Sequence, residues 1–323
     1  MLQHITVVDL TRDLGGFTGK ILAELGATVR KRGLTDSVWD VGKTALTDDV
    51  VTAAATADIL ICGADEPLDD AALAAANPRL IRVVVGNFSA DGPYAGRPAN
   101  DLTLSAASGL LNIGGDPDRA PLKLPGEQAY ALAGIQGATA ALTALYARHA
   151  TGRGQRVEVS AFQSATLAGY RDPIVWEWTG RIGARTGNQL VRGSSAVKQV
   201  FPCQDGWVTW GLVDNPGMLK GLTKLMAADG ADDGMAQVDW DNTLLAEAPQ
   251  KQIEAWEKVL EAWFARHKAD HLMALSAELG LGLSRIDSPD DVLAGEQHAA
   301  RGLWREVGGV ALPGPLFRSV EAR

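Results

Sequence analysis

Glu127 is the residue whose type and position offer chemistry. It follows Pro125-Gly126 and precedes a run reaching His149 that is almost free of helix breakers, with Gly152 and Gly154 closing it as C-terminal caps do. A carboxylate in the first turn of such a helix is stabilised by the dipole and by free backbone N–H groups. There it can serve as an ordinary cap, or it can attack an activated carbonyl and form an anhydride that a second nucleophile opens. The second role needs partial desolvation and donors for the developing oxyanion. Gly134, Gly137, Ala138 and Ala141 recur three and four residues apart, so one face of the helix is nearly bare and can lie close against other backbone.

Few other residues compete. No Ser-His-Asp grouping, Gly-rich phosphate loop or Cys-His cluster stands out. His267 and His271 have metal-ligand spacing, but Lys268 stands where H-E-x-x-H needs Glu and no third ligand is apparent, so no metal is expected. Cys62 and Cys203 read as ordinary reduced thiols. Gly15-Gly16 invites a dinucleotide loop, yet Gly19 does not complete G-x-G-x-x-G, and that fingerprint is rejected.

The elements that must position these groups follow an α/β pattern. Ile5–Leu10, Thr28–Lys31, Ala57–Cys62 and Leu80–Phe88 read as short buried strands, separated by helical stretches such as Asp69–Ala76. That alternation predicts a mostly parallel sheet with helices on both faces. The Gly- and Pro-rich stretch Ser89–Asp101 follows a strand, where open α/β sheets place ligands, and is a candidate pocket wall. Asn112–Asp118 reads as a surface loop or a ligand cover. The polar segment Arg181–Ser195 reads as a linker. Beyond it, Gln199–Cys203 and Trp207–Val213 flank Gln-Asp-Gly as a hairpin, Pro216–Ala228 is helical, and Ile253, Trp256, Val259, Leu260, Trp263 and Phe264 form a core stripe. Trp176, Trp178 and Trp210 either line an aromatic cavity or simply pack.

The chain has 323 residues, a net charge of -9 and 46% hydrophobic content, which predicts a globular protein of two or three domains. The acidic balance argues against a nucleic-acid or membrane surface and leaves a local basic pocket open. No membrane-length apolar run or signal-peptide layout is evident, and a cytoplasmic location is expected.

Several ordered stretches together resemble the family III CoA-transferases, which include formyl-CoA transferase, carnitine CoA-transferase and the α-methylacyl-CoA racemases. They are Val8-Asp-Leu-Thr-Arg12 with Leu25-Gly-Ala-Thr-Val29; Asn77-Pro-Arg-Leu-Ile81, Gly92-Pro-Tyr-Ala-Gly-Arg-Pro98 and Asp101-Leu; Thr151-Gly-Arg-Gly-Gln155 with Val157-Glu-Val-Ser160; Phe201-Pro-Cys-Gln-Asp-Gly-Trp207; and Asp287-Ser-Pro-Asp-Asp-Val-Leu293 with Ala300-Arg-Gly302. The match spans nearly the whole chain.

The resemblance implies a Rossmann-like parallel-sheet domain formed from both chain ends, with residues 1–190 and a return segment 286–323, and an inserted smaller α+β domain over 195–285. It implies an interlocked dimer and CoA thioesters as substrates, with no tightly bound cofactor. CoA-side residues it implies are Arg12, Leu14, Arg30, Lys31, Arg32, Asn87, Phe88 and Arg97. In the family an Asp near the start of the central helix attacks the acyl-CoA carbonyl and later holds CoA as a thioester. The matching position here is Tyr130, whose phenol, with an ordinary pKa of about 10, cannot form that anhydride.

Two expectations follow. Glu127, one turn earlier, replaces the missing Asp and CoA moves between carboxylic acids on this chain; or the chain is the non-catalytic subunit of a heteromer. A racemase and a CoA-binding regulatory protein are weaker readings, the former because it needs an acid/base pair by the start of the central helix and no His lies there. Other departures favour the subunit. Val29-Arg-Lys-Arg-Gly33 lacks the family's acidic residue, with Leu34 where a basic one usually follows, and Asp65 and Glu66 stand where relatives carry a Phe-Arg turn and would repel phosphate. Relatives also continue through another helix past Phe317, a layer that a partner would supply or that is trimmed here.

Overall fold

A computed structural model describes residues 1–314. The chain divides into two compact units: Met1–Gly114 with Pro121–Ala184 and the segment from Glu296, and Arg185–Gly295 with Gly115–Ala120.

The first unit is built on six strands, β1 (Thr6–Asp9), β2 (Thr28–Lys31), β3 (Thr44–Ala45), β4 (Ile59–Gly63), β5 (Ile81–Gly86) and β6 (Arg156–Ser160). All neighbouring pairs are parallel, in the order β3-β2-β1-β4-β5-β6. The central strands β1, β4 and β5 are largely apolar on both faces because both are covered. Val7, Ile59, Ile61, Val83 and Val85 face α1 (Gly16–Glu24) and the long central helix, whereas Val8, Leu60, Cys62 and Val84 pack with Ala53, Ala54 and Leu73 of α2 (Val50–Ala55) and α3 (Asp70–Ala76). The period-two alternation of these three strands thus sorts their side chains into two separate cores. After α4 (Asp101–Ala107) the central helix, α5 (Gln128–Thr151), crosses the sheet, followed by α6 (Ala161–Thr166) and α7 (Arg171–Thr179).

The bare face of α5 meets α1, as its glycine spacing predicts. A Cβ on Gly134 would stand 2.6 Å from the Phe17 Cβ, and one on Gly137 only 2.3 Å from the Thr18 hydroxyl. That hydroxyl donates to the Gly134 carbonyl at 3.1 Å. At the far end Arg148 is buried, pairs with Asp58 at 2.8 Å and donates to the Arg79 carbonyl, which ties the last turn of α5 to the sheet.

The second unit holds the hairpin β7 (Gln189–Arg192) and β8 (Ser195–Lys198), then β9 (Val200–Cys203) and β10 (Gly206–Thr209). Helices α8 (Pro216–Ala228), α9 (Gln250–Phe264) and α10 (Ala269–Leu279) follow, with β11 (Ser284–Arg285) extending the β9-β10 pair and α11 (Pro289–Ala294) after it. The α9 stripe is core: Ile253, Leu260, Trp263 and Phe264 are buried with Phe201, Trp210 and Leu222. The segment expected to be a linker carries β7. Its polar composition is that of a separate two-stranded hairpin, turned at Gly193, whose φ of 54° other residues resist. The Gln-Asp-Gly hairpin forms with Gln204-Asp205 as its turn and Gly206 already paired with Cys203.

From Glu296 the chain clusters with the first unit through α12 (Glu296–Ala300) and the hairpin β12 (Trp304–Val307) and β13 (Val310–Pro313). The part of the expected return segment beyond Gly314, including Phe317, lies outside the described residues. Among the described residues no helix is long and apolar enough to cross a membrane.

Candidate active site

The chain leaves β1 toward β2 and β3, then returns to place β4 beside β1. At such a reversal the loops after the two strands diverge and open a crevice at their carboxyl ends. A cavity of about 1290 Å³ lies there. Its walls are Leu10–Leu14 after β1, Lys31–Gly33 after β2, Gly63–Pro67 after β4, Val84–Ala90 and Gly96–Ala99 after β5, and Tyr130 of α5. Two parts of the Ser89–Asp101 stretch, Ser89-Ala90 and Gly96–Ala99, therefore form part of the wall that its Gly and Pro content predicts.

The expected CoA-side residues separate. Arg12, Leu14, Lys31, Arg32, Asn87, Phe88 and Arg97 line the cavity. Arg30 does not, a correction to its expected place. It alternates with its neighbours on β2, so its guanidinium reaches Asp48 at 3.0 Å and the Ala53 carbonyl on the α2 side. Lys31 is buried, donating to the Thr11 carbonyl at 2.5 Å and lying 3.7 Å from Asp40. Lys43, unremarked in the sequence, completes a buried cluster behind Lys31 and Asp40, beneath the foot of the cavity: its ammonium, 0% exposed, pairs with Asp9 at 2.7 Å and Asp40 at 3.3 Å and donates to the Gly16 carbonyl. Asp9 also accepts from the Thr11 N–H and hydroxyl. Burial opposes ionisation of Asp40, but the Thr35 hydroxyl and N–H together with Lys31 and Lys43 hold its carboxyl below the usual range.

At the rim Arg32 grips Glu66 with both terminal guanidinium nitrogens, Nη1 at 2.8 Å and Nη2 at 2.5 Å. That hydrogen bonding raises the Arg32 pKa and lowers that of Glu66. Arg156 pairs with Glu158 at 2.5 Å. The lining carries five cations and five carboxylates, and among the described residues only Arg12 and Arg97 of those cations have no ion pair. Arg97 lies 4.4 Å from the centroid of the Tyr94 ring, which packs edge-on against Phe88 with Phe162 behind it. The side-chain oxygen of Asn87 is buried without a hydrogen-bond partner.

Glu127 is not in the first turn of α5. It occupies the N-cap position, exposed, with no capping bond from its side chain, and it does not line the cavity. The carboxylate at the helix mouth is Asp101, which sequence reasoning missed as a capping group. It is buried, accepts from the N–H groups of Ala129 at 2.8 Å and Tyr130 at 3.2 Å, and pairs with Lys123 at 3.1 Å. A cap lent by a residue so far back in the chain leaves no local signature. Tyr130 is half-buried on the cavity wall, and burial, assisted by the charges of Asp13, Glu127 and Asp101, pushes its phenol above the ordinary value. Its hydroxyl has no hydrogen-bond partner among the described residues, so it presents a neutral donor.

Trp210 is packed, donating to the Leu281 carbonyl, while Trp176 and Trp178 are exposed on α7. His267 and His271 stack at 5.5 Å, and no group of His, Cys, Asp and Glu among the described residues could hold a metal.

The sequence profile of CoA-transferase family III matches residues 49–320. The chain belongs to this family. A subunit of the succinyl-CoA:(R)-benzylsuccinate CoA-transferase of Thauera aromatica, BbsE, is 25% identical to the family III chain over 94% of it and 83% of the relative. The acetyl-CoA:oxalate CoA-transferase of Acetobacter aceti is 29% identical over 75% of this chain and 60% of the relative. Among solved structures, a CaiB/BaiF family protein from Brucella suis superposes with a TM-score of 0.83 at 25% identity, covering 99% of this chain and 93% of that one. The α/β architecture is that of the family, and its homologues support CoA transfer in general for the chain or the assembly that holds it.

Proposed function

We propose that this chain is the subunit of a heteromeric family III CoA-transferase that binds a CoA thioester but does not supply the attacking carboxylate. One observation carries the reading: the α5 residue on the cavity wall is a neutral phenol, Tyr130, and Glu127, the alternative one turn earlier in sequence, lies exposed and off the cavity. A protonated phenol can donate to a thioester carbonyl but does not attack it. In the assembly a homologous chain supplies the carboxylate. It attacks the acyl carbonyl and expels CoA thiolate. The thiolate then opens the resulting anhydride at the enzyme's own carbonyl, releasing the donor acid and leaving CoA as an enzyme thioester for the acceptor acid.

The relative from Thauera, itself a subunit, supports this assembly. So do exposed apolar side chains on α5 and α7: Ile135, Leu142, Tyr146 at 81% exposure, Ile174, Trp176 and Trp178 at 85%. Patches of this kind mark protein–protein contacts, and the occupant proposed is the homologous chain, interlocked with this one. A cytoplasmic location accords with the free thiols of Cys62 and Cys203.

Incubation with acyl-CoA followed by intact-mass analysis tests the reading. The isolated chain is expected to form no adduct, whereas a mixture with a homologue bearing Asp at the Tyr130 position carries the CoA thioester on that homologue. Tyr130→Asp in the isolated chain is expected to gain an adduct at residue 130. An adduct on Glu127 of the unaltered chain, abolished by Glu127→Gln, overturns the subunit reading in favour of the nucleophile reading.

A further inference from the structure

The cations of the cavity are not equally available. Lys31 is consumed at the foot, Arg156 by Glu158, and Arg32 by Glu66 in a two-pronged pair. A guanidinium fork that closes on a carboxylate presents the same two N–H groups that it would offer to a phosphate. Glu66 therefore stands where a ligand's phosphate would stand, and Asp65 beside it on the same loop adds a second negative charge to the rim. Glu66 is only 15% exposed on its side chain against 43% for Arg32, so the carboxylate is the better seated member of the pair. With Arg12 and Arg97 the cavity cations that have no ion pair among the described residues, the free positive charge matches a diphosphate and leaves little for a further dianionic group.

We infer that Glu66 is a specificity-determining residue: by occupying Arg32 it makes the cavity indifferent to the 3′-phosphate of a CoA thioester, so that 3′-dephospho-CoA carriers are accepted as readily as CoA. The inference rests on the proposed CoA-thioester site and names the part of the ligand that the site ignores. A phosphate reaching Arg32 must displace a bidentate carboxylate or lie beside it, and the repulsion between the two anions offsets the gain from the guanidinium.

Calorimetric titration of the full chain with CoA and with 3′-dephospho-CoA tests this. The unaltered chain is expected to bind the two within about threefold of each other. Glu66→Gln keeps the length of the side chain while removing its charge, and is expected to tighten CoA by about tenfold, the scale of one charge-assisted hydrogen-bond pair, with a much smaller change for the dephospho form. Arg32→Gln/Glu66→Gln is expected to return the ratio to near one, which locates the gain at Arg32. A preference of about tenfold or more for CoA in the unaltered chain overturns the inference while leaving the thioester site intact. So does a CoA to dephospho-CoA ratio that Glu66→Gln leaves unmoved in a variant whose circular dichroism matches the parent. Absence of heat with both ligands, in parent and variant alike, overturns the inference together with the proposed site.

Discussion

Paired charges lie beneath the foot of the cavity and along its rim, but burial gives the two sets different work. At the foot Asp9, Asp40, Lys31 and Lys43 are removed from water and satisfied by one another, by Thr11 and Thr35 and by backbone carbonyls. Removing one member strands a charge that has no water to turn to. At the rim Arg32 and Glu66 remain in reach of solvent, which takes over the loss of either partner. Ion pairs of similar length can therefore hold the sheet together in one place and tune a ligand in another. Asp101, buried but paired with a half-exposed lysine at the mouth of α5, falls between them.

Four measurements sharpen or break this gradient. Lys43→Met leaves Asp9 and Asp40 short of a cation and is expected to cost about 3–5 kcal/mol in urea unfolding; a loss under about 1 kcal/mol would erase the distinction between foot and rim. Asp101→Ala removes the group that accepts the first N–H bonds of α5, and about 1–2 kcal/mol is expected to go with it. Glu66→Gln, by contrast, is expected to change stability by less than about 1 kcal/mol while altering ligand selectivity. A larger loss would place Glu66 among the structural pairs.

The smallest effect concerns acid. The folded-state pKa of Asp40 lies below that of an ordinary aspartate, so its contribution is fully present above the unfolded value and disappears as pH falls through the folded one. Glu66 has the same sign. Thr35→Val deletes a hydroxyl that donates to Asp40 at 2.8 Å and is expected to move the onset of acid unfolding to higher pH. An onset that stays in place would remove Thr35 from the set that holds Asp40 ionised.

Much of the layout was legible because it is local. The strand runs, the breaker-free stretch of α5, the small-residue face with Gly134 and Gly137, Pro216–Ala228 as a helix and the stripe on α9 all depend on near neighbours in sequence, where the periods of 2 and 3.6 act. Ser89–Asp101 was readable as a cavity wall because a Gly- and Pro-rich turn after a parallel strand has few other places to lie. The placement of charge was less legible. Arg30, Lys31 and Arg32 look alike in sequence, yet the β2 pleat sends Arg30 to Asp48, buries Lys31 and leaves Arg32 at the rim. Lys43 stood alone in the sequence with nothing to suggest that it would meet Asp9.

Residue order and pattern were enough to give the family, the alternation of strand and helix, and the substitution of Tyr130 for a carboxylate, since each of these is written in consecutive or helically spaced residues. Which carboxylate caps α5, which cation is free and whether Glu127 reaches the cavity depended on segments brought together from tens of residues apart. Asp101 and Glu127 are both acidic and both precede the helix, and only the packing of α4 against α5 selected the first. Charges interact through space with a strength set by burial, and neither distance nor burial is a property of sequence spacing.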